Sequence, residues 1–178
     1  FTSNCSKTDY NLRAPSGRNP KNFWNYSGKD YAGTWKLRKK GQPFFTVYNI
    51  GESHESRAFG DHKDESVDPK KMILAPYHPD LPEMRNTYAK YSSAISKMDS
   101  LVGQAIENLK QDGLYEDTII VYNSDHGGVL ARSKRFLYSS GIHCPLIVRI
   151  PAKWKHLYPK GKKPGSTIDR IVSFIDMP

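Results

Sequence analysis

Cysteine is scarce: Cys5 and Cys144 are the only two in 178 residues. They are too few and too far apart for a disulfide-dense scaffold or a cysteine-rich zinc site, and the sequence leaves open whether they pair with each other. No stretch approaches the ~18 consecutive apolar residues of a membrane-spanning helix, so no membrane span is expected. Internal repeats and low-complexity tracts are absent as well. No basic-then-apolar leader opens the chain, and Phe1 stands where an initiator Met would. The start therefore reads as processed or truncated and says nothing about export. Hydrophobic residues make up 37% and the mean hydropathy is −0.68, which fits a polar globular chain long enough for one domain with a core. Asn4 and Asn25 open Asn-x-Ser triplets, relevant only where the source glycosylates.

Acidic residues are outnumbered, and the formal net charge is +9. The excess clusters at Lys36, Arg38, Lys39 and Lys40, and again at Lys153, Lys155, Lys160, Lys162 and Lys163. Two solvated basic loops would account for this. So would attraction to a polyanion, whether nucleic acid, an acidic membrane surface or a sulfated or phosphorylated glycan. No nucleic-acid-binding signature accompanies the charge, so no nucleic-acid partner is expected.

Regular structure shows in a few places. PFFTVYNI (43–50) is an aromatic and β-branched run of the kind a strand buried on both faces carries. From Asn86 to Leu109, Tyr88, Tyr91, Ile95, Met98, Val102, Ala105 and Leu109 recur at helical spacing, which predicts one helix ending near Gly113. TIIVYN (118–123) and PLIVRI (145–150) read as two more strands, and VSFIDM (172–177) as the opening of another helix. Strand, helix, strand in this order implies a right-handed crossover. The expected fold is α/β, a mostly parallel sheet with flanking helices, in which 44–50, 119–123 and 145–149 are parallel strands of one sheet. Residues 1–42 and 51–85 are rich in Pro, Gly, Asn and charge and show little periodicity, so they read as long loops that are functional or lean on something else.

The segment VYNSDHGGVL (121–130) carries the clearest chemistry. Open α/β sheets bind ligands at the carboxyl ends of their strands, and Asp125 and His126 follow an apolar strand there. Gly127 and Gly128 permit a tight exit. A carboxylate oxygen and an imidazole nitrogen side by side can ligate one divalent cation; the plainer alternative is a turn-capping Asp and a packed His.

Taken in order, NCSKTDYN, PFFTVYNIGESHES, DGLYEDTIIVYNSDHG and SKRFLYSSGIHCPLIVRIP resemble segments of the sulfatase family, within the alkaline phosphatase superfamily. The resemblance spans nearly the whole chain. It implies that residues 1–178 are a partial sulfatase catalytic domain, with 1–42 as an active-site loop region and 43–178 as the sheet and helix core, incomplete at both ends. By the same resemblance Asp125 and His126 supply part of the shell of a calcium ion, or magnesium, that holds sulfate oxygens. Lys134 matches the lysine that touches sulfate. His54 matches the histidine that hydrogen-bonds the ester oxygen as a general acid. Lys7 matches the lysine near the nucleophile and sulfate. Absent such roles, the two lysines would be ordinary surface residues and His54 a solvated loop histidine.

Some positions depart from the family pattern. Asp9 stands where members place a His, and His143 where many carry Arg. The formylglycine precursor motif, C/S-x-P-x-R, occurs nowhere in the chain, and neither Cys5 nor Cys144 fits it. The nucleophile and a tandem pair of aspartates are expected upstream of Phe1, and the 178-residue chain alone is expected to be inactive. The resemblance and the positive charge together imply a sulfated carbohydrate, or another sulfate ester, as partner and a periplasmic or secreted location. Two alternatives remain: a zinc-dependent phosphatase or phosphodiesterase of the same superfamily, and a non-catalytic binder of anionic glycan.

Overall fold

A computed structural model describes residues 1–7, 23–59 and 66–177. The residue in the family histidine's place, Asp9, lies outside them. Strands β1 (Thr2–Cys5), β2 (Tyr26–Gly28) and β3 (Phe45–Tyr48) form one sheet in the order β2-β1-β3, both pairings parallel. Strands β4 (Ile120–Asn123) and β5 (Leu146–Arg149) form a second sheet. Helix α1 (Glu55–Phe59) follows β3, the long α2 (Pro82–Gln111) precedes β4, and the single turn α3 (Ser139–Ile142) precedes β5. A parallel sheet with helices is thus present, as the sequence predicts.

Three expectations need correction. Segments 119–123 and 145–149 do pair, but antiparallel, with Asn123 opposite Leu146 and Ile120 opposite Arg149. A parallel return needs a crossover that carries the chain back to the strand's starting end. Here the connection leaves and re-enters at the same end, where the Ser124 amide donates to the Pro145 carbonyl at 3.3 Å. The three strands also do not share one sheet, since β3 pairs with β1 and β4 with β5. Thirdly, both loop-like stretches hold regular structure: 1–42 contains β1 and β2, strands of four and three residues too short to show an alternating pattern, and 51–85 contains the five-residue α1 and the first turn of α2. VSFIDM forms a 3₁₀ turn, Phe174–Asp176, closed by a Ser173 capping box.

Helix α2 starts earlier than its apolar stripe, because Pro82 suits a first helical position where no amide partner is needed. It ends where the sequence suggests. Gly113 takes a left-handed φ of 68°, and the Leu114 amide donates back to the Leu109 carbonyl at 2.9 Å. The sheet docks at this end. Trp35, 1% exposed, donates from Nε1 to Asp112 Oδ2 at 2.7 Å and packs beside Phe44 and Tyr48.

The interior of β1 is polar. Ser3 Oγ lies 2.7 Å from Thr34 Oγ1 and 2.9 Å from Thr46 Oγ1. Asn4 Oδ1 accepts from Asn49 Nδ2 at 2.8 Å, and the same Nδ2 donates to the Cys5 carbonyl at 3.1 Å. Asn4 is 1% exposed, so its triplet cannot carry a glycan in the folded chain, whereas Asn25 is exposed. Cys5 and Cys144 are both free, and burial pushes the Cys5 thiol up to about 11. Phe45, Val121, Ile147 and Val148 remain half exposed, unlike strands buried on both faces.

Because Asn49 joins β3 to the end of β1 through buried groups, Asn49→Ala should destabilise the chain by about 1–3 kcal/mol. Urea unfolding followed by circular dichroism measures this, and an unchanged midpoint would show that the bridge is dispensable.

Candidate active site

The carboxyl ends of β1, β3 and β4 open on one cavity of about 1040 Å³. Lys7 arrives two residues past β1, His54 from the loop after β3, and Asp125 and His126 from the turn after β4. Lys134 comes from the long loop between β4 and β5. All five line this cavity, as does His143. Its apolar wall comes from Tyr91, Ile95, Met98 and Val102 of α2, which belong to the stripe read from the sequence.

Local backbone chemistry sets these positions. The hydroxyl of Ser124 donates to the His126 carbonyl, and the Gly127 amide donates to the Gly141 carbonyl at 3.1 Å. A Cβ on Gly127 would run into the Ser140 carbonyl oxygen, and one on Gly141 into the carbonyls of Ser133 and Phe136. Both glycines are therefore required by close approach. Gly128 has ordinary clearance, so the tight exit depends on Gly127 alone. The Lys134 amide donates to the Gly128 carbonyl at 2.8 Å, which folds the long loop back on the cavity.

Asp125 Oδ2 is 3.4 Å from His126 Nε2 and 3.6 Å from Lys7 Nζ. Two ligands at right angles, each about 2.4 Å from a hard cation, stand about 3.4 Å apart. The pair therefore fits two adjacent positions of one coordination shell. Among the described residues, no group of three or more His, Cys, Asp or Glu side chains could hold a metal ion. His54 Nδ1 accepts the Ser56 amide at 3.3 Å and lies 3.0 Å from the Ser56 hydroxyl, which leaves Nε2 to carry the proton of the neutral ring.

The family model described as Sulfatase matches residues 3–178. The chain belongs to the sulfatase family. It is similar to a Formosa agariphila protein named ulvan-active sulfatase, at 31% identity over 99% of this chain and 33% of the relative. A Bacteroides thetaiotaomicron endo-4-O-sulfatase is 26% identical over 66% of the chain and 25% of its own length. Human N-sulphoglucosamine sulphohydrolase is 27% identical over 75% and 25%. The chain thus spans a third or less of the length of these relatives.

At this cavity, Glu55 joins residues that are far apart in the sequence. Its Oε1 accepts from Arg135 Nη2 at 2.8 Å, and its Oε2 lies 3.7 Å from Lys134 Nζ. The Lys134 side chain is only 18% exposed, so its ammonium is fixed more than a surface lysine's would be. The hydrogen bond from Arg135, together with the nearby charges of Lys134 and His54, holds the Glu55 carboxyl below its ordinary value. An acid directly after His54 was the available signal, but its basic partners lie 79 and 80 residues away.

A carboxyl whose folded pKa is depressed contributes stability above its unfolded pKa and loses it as pH falls through the folded value. The Glu55 contacts should therefore persist at pH 5 and dissolve only below the usual glutamate range. Carboxyl-carbon NMR titration reads this directly, and a Glu55 midpoint at or above the ordinary value would refute the ion-pair geometry.

Proposed function

We propose that this chain forms part of the active site of a sulfuric ester hydrolase acting on sulfated carbohydrate. The observation that carries the reading is the convergence of Lys7, His54, Asp125, His126 and Lys134, from well-separated segments, on one cavity at the strand ends. Lys7 and Lys134 supply positive charge for a sulfate group, Lys134 from the less exposed position. His54, with Nδ1 engaged by Ser56, offers Nε2 as proton donor to the ester oxygen. Asp125 and His126 would hold calcium, or magnesium, whose charge would draw sulfate oxygens into place. The two groups supply only part of the about six to eight ligands that calcium takes, so the 178 residues alone should bind it weakly.

The formylglycine nucleophile belongs to polypeptide outside these residues, since no C/S-x-P-x-R motif occurs among them. Without it, attack on sulfur lacks its covalent route, and the isolated chain should bind sulfated ligands without turning them over. A sulfated sugar as substrate is supported by the +9 charge and by the relatives named for ulvan, for 4-O-sulfate and for N-sulphoglucosamine. A periplasmic or secreted location is in keeping with this, and no described helix is long and apolar enough to cross a membrane. A zinc phosphoesterase would need further ligands, and no cluster beyond the Asp125–His126 pair appears among the described residues.

The test compares the 178-residue chain with a longer version carrying the formylglycine motif, on an aryl sulfate and on sulfated oligosaccharides, with and without calcium. Turnover is expected from the longer protein only, and Lys134→Ala there should lower kcat/KM by roughly 10²–10³-fold. Comparable turnover by the short chain would place the nucleophile within it and end this reading. Binding without turnover by both would favour the glycan binder.

A further inference from the structure

Just outside the cavity, the loop carrying Lys134 displays an exposed cluster that the proposed hydrolysis does not use. The guanidinium of Arg132 sits 4.3 Å from the Tyr138 ring centre and 4.8 Å from that of Tyr77, so two aromatic rings from separate loops flank it. Phe136 stacks on Tyr138 with centres 6.2 Å apart and planes 24° apart. These three rings are each about half exposed, and Arg132 is exposed too. No carboxylate pairs with Arg132 among the described residues, whereas Arg135 is taken up by Glu55.

The cluster is built rather than frayed. Arg132 and Arg135 both adopt left-handed backbone, with φ of 62° and 76°. Such a conformation in a non-glycine residue costs energy and persists only where its surroundings impose it. They do so here through several contacts. The Ser140 hydroxyl donates to the Arg132 carbonyl at 2.6 Å, and Gly141 packs against the carbonyls of Ser133 and Phe136. On the other side, His78 Nε2 lies 2.9 Å from the Ala131 carbonyl, and its Nδ1 lies 2.7 Å from the Tyr88 hydroxyl.

We infer that Arg132, Tyr77, Phe136 and Tyr138 form a subsite for a further sulfated sugar unit of the chain whose scissile sulfate enters beside Lys134. The inference rests on the sulfatase reading of the cavity. Two rings within cation–π distance restrain where the planar Arg132 fork sits, and its N–H edge is suited to the paired oxygens of a sulfate. The half-exposed rings of Phe136 and Tyr138 offer apolar surface to the C–H groups of a pyranose. Arg132 lies two residues before Lys134 in the same tied loop, so both can address neighbouring units of one polysaccharide.

Two probes separate the sites: inorganic sulfate, and fully sulfated maltohexaose, each titrated by calorimetry into the 178-residue chain at fixed salt. Arg132→Ala and Tyr138→Ala should weaken the hexaose by roughly tenfold or more and leave inorganic sulfate within about twofold. Lys134→Ala should weaken both. Arg132→Lys keeps the charge but not the planar fork, and should recover little; Lys163→Ala removes one distant charge as a comparator. The subsite is refuted if Arg132→Ala costs the hexaose no more than Lys163→Ala does, if Arg132→Lys restores full affinity, or if both probes weaken equally. If inorganic sulfate fails to bind, or ignores Lys134→Ala, the sulfatase reading of the cavity fails first and takes the subsite with it.

Discussion

A pair of asparagines at the ends of two parallel strands fixes where the chemistry can occur. Asn49, just past β3, donates to Asn4 within β1 and to the Cys5 carbonyl, and Asn4 in turn donates to the Lys7 carbonyl. Asn4 is buried and Asn49 partly so, and losing either partner would leave a polar group of Asn4 unsatisfied. The register they hold makes the chain leave β1 and β3 on the same edge. Lys7 and the loop bearing His54 therefore enter one space, and α2 walls it with the apolar face that its helical spacing creates.

The opposite side of that space is organised by close approach more than by hydrogen bonding. Gly127 and Gly141 allow the chain after β4 to touch the chain before β5, and this contact closes a loop from Asp125 to Pro145 on itself. Closure turns β5 antiparallel to β4, brings Lys134 back over the cavity and lets Glu55 reach both Lys134 and Arg135. Both signs of charge then stand in or beside the cavity in defined places: Asp125 next to Lys7, and Glu55 next to Lys134 and Arg135. The Asp125 pairs, exposed on both partners, add little stability. What the carboxylates supply is position, since Asp125 holds Lys7, and Glu55 holds Lys134, at the cavity.

The strongly patterned parts were legible in the sequence. The stripe from Tyr88 to Leu109 specifies a helix because side chains three and four apart share a face, and Gly113 marks its end because left-handed backbone suits glycine. The runs before Asn49 and Asn123 specify strands, and the turn after the second carries Asp125 and His126, which line the cavity. Direction and pairing were not legible. PLIVRI reads the same whether its strand runs parallel or antiparallel to TIIVYN, because apolar character carries no sense of direction; loop closure through Gly127 and Gly141 decided it. β1 escaped notice because its buried side chains are Ser, Asn and Cys, satisfied by partners as distant as Thr34, Thr46 and Asn49. The sequence alone thus determined which local elements form and which chemical groups they carry, since propensity and donor type belong to residues and their near neighbours. Only the tertiary structure decided that Glu55 faces Lys134 and Arg135, and that Arg132 lies between Tyr77 and Tyr138, because such partnerships depend on packing between segments that share no local signal.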